Sequence, residues 1–147
     1  NELYQILKDK LKLDPIILTD KVNEGKTLIE KFENHTLKVG YVFVLLTPDD
    51  IGCLKTNFEK HENKLTDAIK EFEDRARQNV VLELGYFAGR LGRNRVCCIQ
   101  KGNVNLLPSD LHGLVTIRYN ESIKHVYLDI EAELENAGYL KSNFASS

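Results

Sequence analysis

The sequence lacks a surplus of charge of either sign. Its 20 Lys and Arg against 22 Asp and Glu leave a net charge of -2, which argues against a nucleic-acid or acidic-membrane surface. It lacks an apolar run long enough to span a bilayer, and no secretory leader pattern opens it, so a cytoplasmic protein is expected. Cysteine is scarce and odd in number. Of the 3 cysteines, Cys97 and Cys98 are adjacent inside an apolar stretch, which suits small core residues in a reducing compartment rather than a disulfide framework. The 4 histidines, at 35, 61, 112 and 125, show no metal-ligand spacing, so no metal site is expected. Internal repeats and low-complexity linkers are absent, and 147 residues suffice for one domain with its own core.

What is present is an alternation of helical and strand patterns. Leu3, Ile6, Leu7 and Leu11 have helical spacing. "DPIILTD" reads as a short apolar strand opened by Pro15, and "KVNEGKT" as a polar loop turning at Gly25. "TLIE" from Thr27 has capping-box form and starts a helix reaching about His35. "VGYVFVLLTPDD" is too apolar for a wet face, so it is expected inside a sheet covered on both sides. Leu65, Ile69, Phe72 and Ala76 form a helical stripe in phase with Val80, Leu84, Phe87 and Leu91, which leaves open one bent helix or two. Gly92 marks a helix stop. "RVCCIQ" and "LVTIRY" are further strands, and Ser122 to Ala137 is a last amphipathic helix ended by Gly138, before a tail, "KSNFASS". Strands separated by helices imply right-handed crossovers and a parallel sheet in a doubly wound α/β class.

One residue stands out. Glu83 borders the apolar stripe of its helix, and its neighbours three and four residues away are Asn79, Val80, Tyr86 and Phe87, none of them a cation. A carboxylate at the edge of a core must be satisfied from another element or become harder to ionise. By position alone, a hydrogen bond to a nearby loop accounts for it.

The stretches "EGKTLIEKFE", "VGYVFVLLTPDD", "RARQNVVLELGYFAGRLGRNRVCCIQKG" and "LPSDLHGLVTIRY" together resemble the bacterial TIR-like family of predicted nucleotide-binding proteins, from about Leu3 to Gly138. The resemblance implies a single domain over residues 1–147 with a flavodoxin-like, TIR-type three-layer α/β sandwich around a central parallel sheet. That family opens with a strand and a His/Gly/Asp-containing loop. This chain opens with a helix, so it is expected to lack that first strand and first loop, and a gap is expected beside the "YVFVLL" strand. The implied activity is that of an NAD+ glycohydrolase, with NAD+ as substrate and no cofactor. The resemblance further implies an effector of anti-phage defence coupled to a cyclic-nucleotide-sensing module. It also implies self-association, in which the Thr19–Thr27 loop of one subunit completes the neighbour's pocket. The family's indispensable Glu, in a "WxxxE"-like context, falls on Glu83. Asn79 takes the place of the aromatic residue.

The chemistry suits a sparse site. Glycosidases usually need two carboxylates, because an alkoxide-like leaving group needs an acid. Nicotinamide leaves NAD+ neutral and needs no proton, so one carboxylate near the ribose can stabilise the developing positive charge. In a doubly wound fold the pocket lies at the carboxyl ends of the strands. That places Asp20, Gly25, Thr47, Pro48 and Asp49 at its rim, with Thr27 opening a helix toward a phosphate and Arg75 and Arg77 as pyrophosphate partners. The plainer alternatives are turn and cap roles for the aspartates and threonines, and solvated arginines. Gly85 and Gly89 are expected to mark close packing of their helix. Arg90, Arg93, Arg95 and Lys101 read as a solvated basic rim. The competing functions are a non-catalytic TIR scaffold and a nucleoside deoxyribosyltransferase-like enzyme. A phospho-receiver domain shares the fold but not these stretches.

Overall fold

A computed structural model describes residues 2–18, 30, 32–34, 38–61, 64–103, 111 and 113–140. The expected Gly25 loop, the start of the Thr27 helix, most of the loop before "LVTIRY" and the C-terminal tail lie outside them.

Three strands form a parallel sheet: β1 (Val42–Leu46), β4 (Val96–Lys101) and β5 (Val115–Tyr119), in the order β1-β4-β5. Two short strands, β2 (Asp50–Gly52) and β3 (Glu73–Arg75), pair antiparallel apart from that sheet. The helices are α1 (Glu2–Gln5, continued as a π turn over Ile6–Lys10), α2 (Lys55–Glu59), α3 (Leu65–Ala68), α4 (Gln78–Leu91) and α5 (Tyr127–Asn136). Residue 30 and residues 32–34 are also helical.

The strand alternation explains the layers. Val96 and Cys98 of β4 join Val44, Leu46, Leu84, Phe87 and Phe32 in one cluster. Cys97 and Ile99 join Ile117, Leu3, Ile6, Ile130 and Leu134 in the other. The sheet therefore has α4 and the 32–34 helix on one face and α1 and α5 on the other, a three-layer α/β sandwich. Every residue from Val96 to Gln100 is buried, as a strand covered on both faces and paired on both edges requires.

Four expectations change. First, Pro15–Leu18 forms no strand: residues 12–18 have no regular structure. Ile16 and Ile17 are 46% and 47% exposed, while Leu18 packs against the core, so this stretch is anchored at one end rather than paired. Second, the "YVFVLL" strand pairs with β4 as expected but, among the described residues, has no strand on its other side; β4 is the interior strand. It stops at Leu46, and Asp50 opens a separate strand. Third, the Leu65 stripe does not run into α4. A 3-10 turn (Ile69–Glu71) and β3 intervene, and Leu65 and Ile69 are 68% and 56% exposed. The helical phase match from Leu65 to Leu91 reflects no shared face. Fourth, a Cβ added at Gly85 or Gly89 would meet nothing within 4 Å among the described residues, so close packing against them does not account for either glycine.

Other signals held. Leu84 and Phe87 are buried in the α4 stripe with Val80, Ala88 and Leu91 packed beside them. Gly92 ends α4 at φ +91°, a conformation that glycine adopts without a Cβ penalty. Ser122 Oγ accepts from Lys124 N at 3.2 Å and so caps the turn that leads into α5.

Candidate functional site

The site is built where β1 ends. Leu46 is fully buried, Thr47 is half-buried, and Pro48 stops the strand. Thr47 Oγ1 donates to Asp49 Oδ2 at 2.5 Å, folding the turn back on itself. Asp50 then enters β2, whose antiparallel register places it opposite Arg75 of β3. Arg75 donates to Asp50 Oδ2 from Nε at 3.1 Å and lies 3.0 Å from it through Nη2. The guanidinium passes over Gly52: a Cβ there would lie 2.6 Å from Arg75 Nη1, so a larger residue would push the guanidinium aside. Arg77, the residue before α4, lies 3.6 Å from Asp49 through Nε. Two aspartate–arginine pairs thus bind the base of the 50–75 excursion to the end of β1 and to the start of the helix that carries Glu83.

Glu83 stands about a turn and a half into α4. It is half-buried, with Leu84 and Phe87 in the core beside it and Asn79 exposed one turn before it. Tyr86 and Phe87 both meet Phe32, with ring centroids 5.3 and 5.2 Å apart, so the helical segment at 32–34 lies along the Glu83 flank. Glu83 is among the residues that have an interaction partner.

The structure therefore brings Thr47, Pro48, Asp49, Arg75 and Arg77 to one end of the sheet, where the helix bearing Asn79 and Glu83 begins. Asp20, Gly25 and Thr27 lie outside the described residues. Arg93 and Arg95 precede β4 at the opposite, amino-terminal end, where Arg95 Nη1 donates to Gly40 O at 3.0 Å and to Tyr139 Oη at 3.3 Å. A pocket lined by Asn94, Arg95, Val115 and Glu133 opens at that end, away from Glu83. There Tyr41 Oη donates to Glu133 Oε1 at 2.6 Å, and burial, reinforced by that bond, pushes the Tyr41 phenol well above its ordinary range.

Sequence reasoning missed Gln100, the one buried polar residue among those described, at 4% exposure. A polar residue closing the otherwise apolar run "VCCIQ" was the available signal.

A three-layer α/β sandwich with a half-buried glutamate on the helix that starts at the carboxyl edge fits a TIR-type domain. The family profile described as "CAP12/Pycsar effector protein, TIR domain" matches residues 1–121, and the chain belongs to that family. It is 39% identical over 112 residues to the uncharacterized protein YuaY of Escherichia coli (strain K12), covering 76% of this chain and 33% of that protein. It is 32% identical over 139 residues to protein tirC of Dictyostelium discoideum, covering 90% of this chain and 62% of that protein. It is 33% identical over 92 residues to the Pycsar effector protein PaPycTIR of Pseudomonas aeruginosa, covering 62% and 25%. The chain thus spans from a quarter to under two thirds of the length of these relatives. No solved structure matches it significantly. Among the described residues, no helix is long and apolar enough to cross a membrane.

Proposed function

We propose that this chain is the NAD+ glycohydrolase domain of a bacterial anti-phage effector. The observation that carries the reading is the position of Glu83: half-buried on α4, near the carboxyl edge of a doubly wound sheet, in a chain of the CAP12/Pycsar TIR family. The bond broken is the one between the ribose anomeric carbon and the pyridinium nitrogen. Nicotinamide leaves with the bonding electron pair, water adds to the anomeric carbon, and one proton is released, giving ADP-ribose. Glu83 accepts hydrogen bonds from the ribose hydroxyls and stabilises the positive charge that grows on the ring. Its half-buried setting strengthens that interaction by lowering the local dielectric.

Thr47 and Asp49 form the rim on the β1 side, with Asn79 one turn above Glu83. Arg75 and Arg77 fix this rim through Asp50 and Asp49. The Thr19–Thr27 loop carries Asp20, Gly25 and Thr27 and serves self-association. Head-to-tail contacts through it complete each pocket from a neighbouring subunit, under control of a cyclic-nucleotide-sensing module in the cytoplasm.

The test is nicotinamide release from NAD+ by the full-length protein and its Glu83→Gln variant across a range of protein concentrations. Release that rises faster than linearly with concentration and disappears in the variant is the expected result. No release under any condition, with the fold intact, would leave a non-catalytic TIR scaffold as the reading.

A further inference from the structure

Arg75 and Arg77 suggested a pyrophosphate site in the sequence, but in the structure each faces an aspartate. A guanidinium already neutralised by a carboxylate is a poor phosphate partner, because phosphate must compete with an anion held in place. The question becomes which cation at the carboxyl edge is available.

The sheet register supplies one. Gln100 lies between Leu46 of β1 and Arg118 of β5. These three residues form a row across the carboxyl end of the sheet, with neighbouring strands about 4.8 Å apart. Alternation fixes the face. Leu46 and Cys98 pack with the α4 cluster, and Ile99 and Ile117 with the α1 and α5 cluster. Gln100 and Arg118 therefore belong to the α4 face, that of Glu83.

Rise along the chain points to the same end of the sheet. The short connection at 92–95 makes α4 run antiparallel to β4. Going back from Leu91 to Glu83 covers about 12 Å of helix, and going forward from Val96 to Gln100 covers about 13 Å of strand. By that count of rise, Glu83 and Gln100 both stand toward the carboxyl end of the sheet.

Gln100 is buried, and its Nε2 donates to Gly102 O at 3.1 Å. That uses one of the four hydrogen bonds a carboxamide can form. Arg118 is exposed and makes no ion pair among the described residues. Lys101, its neighbour at the same edge, alternates to the opposite face beside Tyr119.

We infer that Arg118 forms the binding subsite for the phosphate-bearing half of the ligand: its guanidinium takes the pyrophosphate, with the buried Gln100 carboxamide, held by Gly102 O, as the neutral polar group beside it in the row. This rests on the NAD+ reading for the reacting half only; the phosphate half is carried by the register and the charges.

The experiment measures ADP binding by calorimetry and NAD+ turnover for the wild type, Arg118→Gln, Arg118→Lys, Gln100→Leu and the distant Arg93→Gln. Thermal melting confirms each fold. Arg118→Gln should weaken ADP binding about tenfold or more and raise KM for NAD+ by a similar factor, with kcat little changed, as loss of uniform binding demands. Arg118→Lys should restore part of the affinity, and Arg93→Gln should bind as the wild type does. Gln100→Leu, which fills the same space without the amide, should weaken ADP less than Arg118→Gln while remaining folded. A wild type that binds no ADP overturns the inference, as does an Arg118→Gln variant with wild-type affinity. Turnover with an unchanged KM in Arg118→Gln removes the subsite and leaves the NAD+ reading standing. Arg118-dependent ADP binding without any turnover does the reverse.

Discussion

Arg75 meets Asp50 across the β2–β3 pair with two nitrogens on one carboxylate oxygen, at 3.1 and 3.0 Å. The contact spans 25 residues of chain and closes the base of the excursion beside the candidate site. Both side chains are about a third exposed, so a coupling of roughly 0.2–1 kcal/mol is expected from a double-mutant cycle of Asp50→Ala and Arg75→Ala in urea. Each single variant should also lower turnover, because the same pair orients the rim before α4. Zero coupling would show that the pair does not hold the excursion in place.

Gly89 lies in the last turn of α4, exposed, with nothing among the described residues within 4 Å of an added Cβ. Gly89→Ala should therefore stabilise the protein, by up to about 1 kcal/mol, through helix propensity and the reduced freedom of the unfolded chain. Denaturant midpoints with an unchanged slope would report it. Destabilisation would mean that another surface approaches this helix in solution.

The three thiols should react in a fixed order. Burial, with Glu133 nearby, pushes Cys97 up to about 12, and burial raises Cys98 as well. Cys53 is half-buried and outside the core. One thiol should be titrated by a disulfide reagent in the native protein and all 3 in denaturant, with labelling mapped to Cys53 by mass spectrometry. Early labelling of Cys97 would contradict the interior position of β4.

Glu2 ties α1 to the start of the last helical segment. Its Oε2 accepts from Ser122 Oγ and from Ile123 N, both at 3.0 Å, and these two bonds, the Ser122 one first, hold its carboxyl below the ordinary value. A depressed native-state pKa contributes stability above the unfolded-state value and loses it as pH falls through the native-state value. Glu2→Gln should thus lower stability at neutral pH, and the gap to the wild type should narrow as pH falls below the ordinary carboxylate value and through the depressed native-state one. A gap that does not narrow as pH falls well below the ordinary carboxylate range would assign the effect to the lost hydrogen-bond acceptor rather than to charge.

The elements readable in the sequence were those whose pattern is set by burial on a regular backbone. "VCCIQ" is apolar on both faces because β4 is covered on both faces. The Val80–Leu84–Phe87–Leu91 stripe is the packed face of α4. Gly92 is the one residue type that readily takes φ +91° there. These depend on neighbours close in sequence or on hydrophobic period alone.

Pairing is what the sequence left undetermined. Period cannot tell that Pro15–Leu18 stays unpaired, because a strand exists only where another strand meets it. The Leu65 stripe had a helical period yet gave way to β3, since pairing with β2 and the Arg75–Asp50 contact depend on residues some 20 positions away. For the same reason, Arg75 and Arg77 read as free cations in the sequence and are paired in space. Glu83 was legible as a carboxylate at a core edge. The row from Leu46 through Gln100 to Arg118 was not, because hydrogen-bonded register between strands far apart in the chain sets it, and only the assembled sheet fixes which side chains share its edge.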